Sequence, residues 1–147
     1  MIKERLSTTF GSNIKENAAI VIQNVSIGDL IGNVYPAFFE GLIDTGADRS
    51  VIPMTICKDL KLKIHDQLKV VGFDGKAREC TSYLVYVKVE TIGDVPLQVF
   101  GVERKGVLLG RDFLKNMLLV MDSRVQKYGL GISARWKTTC LRLMGIL

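Results

Sequence analysis

Short runs of β-branched and aromatic residues, broken by Gly, Asp and Asn, recur along most of the chain, and this is the patterning of strands. Ala18–Ile27 (AAIVIQNVSI) and Asn33–Glu40 (NVYPAFFE) read as strands, with Gly28-Asp29 and Gly32-Asn33 as turns between them. Leu68–Phe73 and Thr81–Glu90 flank Asp74-Gly75, a pair that favours a two-residue type I′ hairpin. Val95–Val102 and Val107–Leu109 read as further strands, and a strand pair follows over Leu118–Ile132. Two short helices are expected: Pro53–Leu60, with Pro in the first turn, and Arg111–Met117. In the last 15 residues Trp136, Cys140, Leu143, Met144 and Leu147 fall near helical spacing. A terminal helix or strand docked on the domain or on a second copy is preferred there over a free amphipathic partner or membrane helix.

The pattern also carries a weak repeat. Ile27-Gly28-Asp29 returns as Ile92-Gly93-Asp94, and each copy leads through a strand to an aromatic and a Gly. Each then reaches an apolar pair before a Gly-containing turn: Leu42-Ile43-Asp44-Thr45-Gly46 and Leu108-Leu109-Gly110-Arg111-Asp112. Two copies imply half-units related by an approximate two-fold axis and exclude a solenoid.

Composition narrows the class. At 147 residues the chain suits one domain and is too short for a (β/α)₈ barrel or a bilobal kinase. Hydrophobic residues at 48% and charged ones at 24% exclude wholesale disorder. No apolar stretch is long enough to span a bilayer, and the N-terminus shows no secretory h-region. Cys57, Cys80 and Cys140 form no CxxC; free thiols and a cytoplasmic setting are the simplest expectation. With His65 as the lone histidine a zinc site is not expected. His65 reads as a surface residue, Cys57 and Cys80 as buried small side chains, and Tyr83 and Tyr86 as facing opposite sides of a strand.

The net charge of +5 is local. Arg124, Lys127, Arg135, Lys137 and Arg142 stand beyond the last acid, Asp122, and the preceding 15 bases balance the 15 acids. A solvated face of a terminal element explains this better than a nucleic-acid tail, because no stacking aromatics are interleaved.

Candidate chemistry centres on Phe39-Glu40-Gly41-Leu42-Ile43-Asp44-Thr45-Gly46-Ala47-Asp48-Arg49-Ser50-Val51-Ile52-Pro53. An acid directly after two buried-type residues is unusual for a plain strand. Thr45-Gly46-Ala47 supplies a hydroxyl, a conformationally free residue and a small side chain, so a sharp turn can offer N–H groups to the carboxylate while the Thr hydroxyl locks it.

With Leu108-Leu109-Gly110 about 65 residues on and the hairpin Val70-Val71-Gly72-Phe73-Asp74-Gly75 between, the sequence resembles the retropepsin-like aspartic proteases, closer to their cellular and bacterial branch. The resemblance covers roughly Ala18–Leu130. It implies an all-β, closed-barrel acid-protease domain over residues 18–132 with one or two short helices. Residues 1–17 would form an N-terminal extension and 133–147 a basic C-terminal tail. It implies Asp44 as catalytic residue, supported by Thr45 and Gly46. Ala47 and Asp48, with Gly72, Phe73, Asp74 and Gly75 at a flap tip, are implied for substrate binding. Leu109, Gly110 and Arg111 are implied as structural support, with an Asp48–Arg111 ion pair. Arg49 stands where retroviral members carry a second acid.

Aspartic proteolysis uses two carboxyls sharing one proton, and one chain carries a single Asp-Thr-Gly. The expectation is therefore a homodimeric aspartic endopeptidase acting on peptides, with Asp44 facing its symmetry copy and no metal or organic cofactor. Asp112 as an intramolecular second acid is disfavoured, since it falls at a helix start where an acid has a capping role. Two alternatives remain. One is a dimerising, peptide-gripping module of the same fold with little activity; the other uses the basic tail as a nucleic-acid tether.

Overall fold

The computed structural model describes residues 6–7, 20–72, 74–90, 92–115, 117–122, 127–131 and 142. The helix or strand expected over 133–147 lies outside the described residues apart from Arg142, as does Phe73 at the expected flap tip. The architecture is all-β with two short helices. Ten strands are described: β1 Leu6–Ser7, β2 Val21–Gly28, β3 Phe39–Ile43, β4 Val51–Pro53, β5 Ile64–Val71, β6 Ala77–Val89, β7 Gly93–Val102, β8 Val107–Leu109, β9 Leu118–Asp122 and β10 Lys127–Gly131. Helix α1 is Met54–Asp59 and α2 is Arg111–Leu114.

The main sheet runs β2-β3-β8-β4-β7-β6-β5, and a further β2–β6 pairing closes six of these strands into a ring, with β5 outside it. Closure depends on β2, which pairs with β3 through Val21↔Leu42 and Ile22↔Gly41, and with β6 through Ser26↔Lys88 to Gly28↔Tyr86. Between these stretches the register shifts, and Asn24 takes φ 57°, a left-handed conformation that Asn tolerates better than most residues. The bulge bends the strand so that it can serve both neighbours.

Inward positions follow the period of two. On β6, Tyr83, Val85, Val87 and Val89 are buried while Leu84 is exposed. Tyr86 faces away from Tyr83, with the Lys88 ammonium 5.8 Å from its ring centre. Val25, Ile27, Ile52, Ile56, Val85, Val87, Val99, Val107, Leu109 and Phe113 are at most 1% exposed and form the middle of the core. Each such side chain removed from water contributes about 1.5–3 kcal/mol before entropy is counted. At Gly101 of β7 a Cβ would stand 2.8 Å from Cys57 Sγ and 2.9 Å from Tyr83 Cε2, so only glycine lets α1 sit this close to the sheet.

A second sheet, β1-β10-β9, is antiparallel. The Tyr128 hydroxyl donates to the Val21 carbonyl at 2.7 Å, tying this sheet to the barrel.

Three sequence expectations need correction. The strand expected over Asn33–Glu40 begins only at Phe39. Ahead of it the Asp29 carboxylate accepts from the amides of Ile31 and Asn33 and from Asn33 Nδ2, building a tight turn, and Pro36 has no N–H to continue a ladder. The hairpin is not a two-residue type I′ turn: pairing ends at Val71↔Ala77, leaving a loop of residues 72–76. There the Gly75 amide donates to the Gly72 carbonyl and Gly75 takes φ +73°, the geometry of a longer turn ending in a left-handed residue. Finally, Cys80 is only partly buried, although Cys57 is buried and His65 exposed as expected.

Candidate active site

β3 and β8 run parallel in the ring with Leu42↔Leu108 and Ile43↔Leu109 as partners. The two apolar pairs of the sequence repeat therefore lie side by side, and the chain leaves both strands at one end of the barrel. Asp44 follows β3 and Gly110 follows β8. The Asp44 amide still donates to the Leu109 carbonyl at 2.9 Å, so the acid starts from a fixed backbone.

Beyond it the chain turns sharply. The Gly46 amide donates to Asp44 Oδ1 at 2.9 Å, and the Ala47 amide to the Asp44 carbonyl at 3.2 Å. Asp44 is half-buried; Thr45, Gly46, Asp48 and Arg49 are exposed. The lock on this turn is the Asp44 carboxylate. The Thr45 hydroxyl, expected to serve that purpose, makes no hydrogen bond to the described residues.

The segment after β8 grips the loop from outside. The Arg111 amide donates to the Ala47 carbonyl at 2.8 Å, its Nη1 donates to the Thr45 carbonyl at 3.1 Å, and its guanidinium forms the ion pair with Asp48. Both partners are exposed, so the pair contributes orientation more than stability. At Gly110 a Cβ would stand 2.8 Å from the Ala47 carbonyl oxygen and 2.9 Å from the Arg49 carbonyl carbon. Any side chain there would strike the backbone of the Asp44 loop.

Asp112 is occupied elsewhere. It accepts from Ser50 Oγ at 2.7 Å and the Ser50 amide at 3.0 Å, and also from the amide of Phe113. Sequence reasoning weighed Asp112 only as a rival acid or a cap and gave Ser50 no role. The one available signal was a serine directly ahead of the buried Val51-Ile52-Pro53 run.

The structure thus brings Asp44, Thr45, Gly46, Ala47 and Asp48 together with Leu109, Gly110 and Arg111. Gly72, Asp74 and Gly75 sit apart at the β5–β6 hairpin tip, with no hydrogen bond or ion pair to the Asp44 loop among the described residues. The tip has its own order: Asp74 accepts from the Lys76 amide at 3.0 Å and pairs with Arg78. Burial pushes the Cys57 thiol up to about 11, which keeps it protonated and unreactive near neutrality. Among the described residues no three His, Cys, Asp or Glu side chains are grouped to hold a metal ion, and no helix is long and apolar enough to cross a membrane. An open cavity of about 620 Å³ near Asn24, Lys88 and Asp94 includes no residue of the Asp44 loop.

A closed β ring with an Asp-Thr-Gly turn leaving one of two parallel inner strands defines the class: a retropepsin-like acid-protease fold. Residues 31–116 match the family described as "gag-polyprotein putative aspartyl protease", and the chain belongs to that family. Among solved structures it is similar to the protease from EIAV complexed with the inhibitor HBY-793, at 22% identity and TM-score 0.50, covering 71% of this chain and 92% of that one. It is also similar to a foamy viral protease–reverse transcriptase in complex with an RNA/DNA hybrid, at 17% identity and TM-score 0.50, covering 65% of this chain; there it spans only 12% of the longer chain. A retropepsin-like aspartic protease from Rickettsia conorii matches at 13% identity and TM-score 0.49, covering 89% of this chain and all of that one. No curated protein matches in sequence.

Proposed function

We propose that the protein is an aspartic endopeptidase that works as a homodimer, with the Asp44 carboxyls of two copies sharing one site. The observation that carries this reading is the asymmetry between the paired strand ends. Asp44 follows β3, and its counterpart after β8 is Gly110, where backbone leaves no room for a side chain. Asp112, the intramolecular rival, is held by Ser50. A second carboxyl must then come from a second copy, and a two-fold axis through the site supplies it with identical geometry.

In this mechanism two close carboxyls hold one proton between them. The ionised one takes a proton from a water as that water attacks the scissile carbonyl carbon. The protonated one gives its proton to the carbonyl oxygen, and the tetrahedral intermediate then breaks at the C–N bond as the nitrogen is protonated. The Gly46 amide on Asp44 Oδ1 fixes the orientation of each carboxyl. The β5–β6 hairpins, with Gly72, Phe73, Asp74 and Gly75 at their tips, would close over an extended peptide, and Ala47 and Asp48 would line its path.

The test is peptide-library cleavage at acidic pH by the wild type and Asp44→Asn. The substitution keeps the shape but cannot carry the shared proton, so turnover should fall at least roughly a hundred-fold. Equal turnover by the two proteins would refute the proposal.

A further inference from the structure

The Asp44 loop is held at both ends. Its start is fixed by the pairing of β3 with β8. Its far end is fixed at Ser50, which is fully buried and has every polar group engaged. The Ser50 carbonyl accepts from the Phe100 amide at 3.1 Å. Its Oγ accepts from the Gly110 amide at 3.0 Å and donates to Asp112 Oδ1 at 2.7 Å, while its amide donates to Asp112 Oδ2 at 3.0 Å. The hydroxyl is thus the middle of a relay from the Gly110 amide to the Asp112 carboxylate, and each bond polarises the next.

We propose that Asp112 and Ser50 form a latch that positions Asp44, the carboxylate of Asp112 clamping the far end of the loop against the β8–α2 junction. The inference rests on the reading of Asp44 as the catalytic acid. The donor count explains why an acid serves here. Three donors converge on Asp112: Ser50 Oγ, the Ser50 amide and the Phe113 amide. An ionised carboxyl has an acceptor for each. An Asn at 112 turns one of its two heavy atoms into an NH₂. On one side that group faces the Ser50 amide; on the other it faces the Phe113 amide. Either way a donor meets a donor.

Ser50 lies six residues from Asp44, and neither it nor Asp112 hydrogen-bonds the Asp44 carboxyl, so both are positioning residues. Loosening the far end lets the 44–50 segment lift from Gly110 and Arg111, and a small displacement of a reacting group is costly to turnover. The effect belongs on kcat, since Ser50 is fully buried and the Asp112 carboxylate is taken up by Ser50 and the Phe113 amide.

The experiment compares the wild type, Asp112→Asn, Ser50→Ala and the double variant by hydrogen exchange and by steady-state peptide cleavage. The decisive readout is amide exchange, which does not require activity. The amides of Gly46 and Ala47, which bond to Asp44, should exchange about ten-fold faster in each variant, while amides of the β6–β7 ladder keep their protection. Cleavage should lose about ten-fold in kcat with KM within about two-fold, and the double variant should be no worse than the poorer single, as for two residues acting as one unit. Unchanged exchange at Gly46 and Ala47, or fully additive losses, would overturn the latch. A wild type that folds but cleaves nothing would instead overturn the reading of Asp44 as catalytic, and exchange alone would then decide the latch.

Discussion

At the hairpin tip the Asp74 carboxyl is held below the ordinary carboxylate range, first by its hydrogen bonds from Arg78, then by the Lys76 amide and the Arg78 charge. The sign of its pH dependence follows. A carboxyl with a depressed folded-state value stabilises the folded form at any pH above its unfolded value, and that contribution fades only as pH falls through the folded value. The tip should therefore keep its shape through the mildly acidic range where two carboxyls can share a proton. Following Asp74 and Arg78 by NMR should show the contact intact at pH 5 and lost only below the usual carboxylate midpoint. A contact that dissolves between pH 6 and 5 would contradict this account. Because both side chains are well exposed, the consequence is local order and not global stability.

Between elements, the tightest dependence is the approach of the β8–α2 junction to the Asp44 loop. Gly110→Ala should cost about 1–3 kcal/mol, because its methyl meets main-chain atoms that no rotamer change can move aside. Urea denaturation at fixed protein concentration measures this, and loss within 0.5 kcal/mol would mean that the loop yields freely. The same junction shows what the sequence could and could not disclose. Leu42-Ile43 and Leu108-Leu109 were recognisable as a repeated apolar pair, and Asp48–Arg111 followed from the family resemblance. Strand periodicity revealed β6 and β7 because each alternates over a long ladder. It misplaced the start of β3, since Asn33–Phe38 has strand-like composition but is governed by Asp29 side-chain hydrogen bonds and by Pro36. The loop at 72–76 was also misread, because Asp74-Gly75 fits two turn types and only the pairing of Val71 with Ala77 chooses between them. The Ser50–Asp112 latch was illegible: a buried serine and a helix-start acid 62 residues away have no local pattern in common.

For the whole molecule, the barrel closes through β2, and of the parallel strands β3 and β8 only β3 is followed directly by an acid. In the proposed reading each chain supplies one half of the site, so the proposed activity depends on assembly. The second sheet, β1-β10-β9, is tied to the same body by Tyr128, so the strands near the two ends of the described chain meet on one side of it. The most direct measurement is the stoichiometry of a tight, non-cleavable tetrahedral peptide mimic, titrated calorimetrically against known chain concentration. One mimic bound per two chains, with binding abolished in Asp44→Asn, is the predicted result. One mimic per chain, on protein that sediments as a monomer, would contradict a site built from two copies of Asp44.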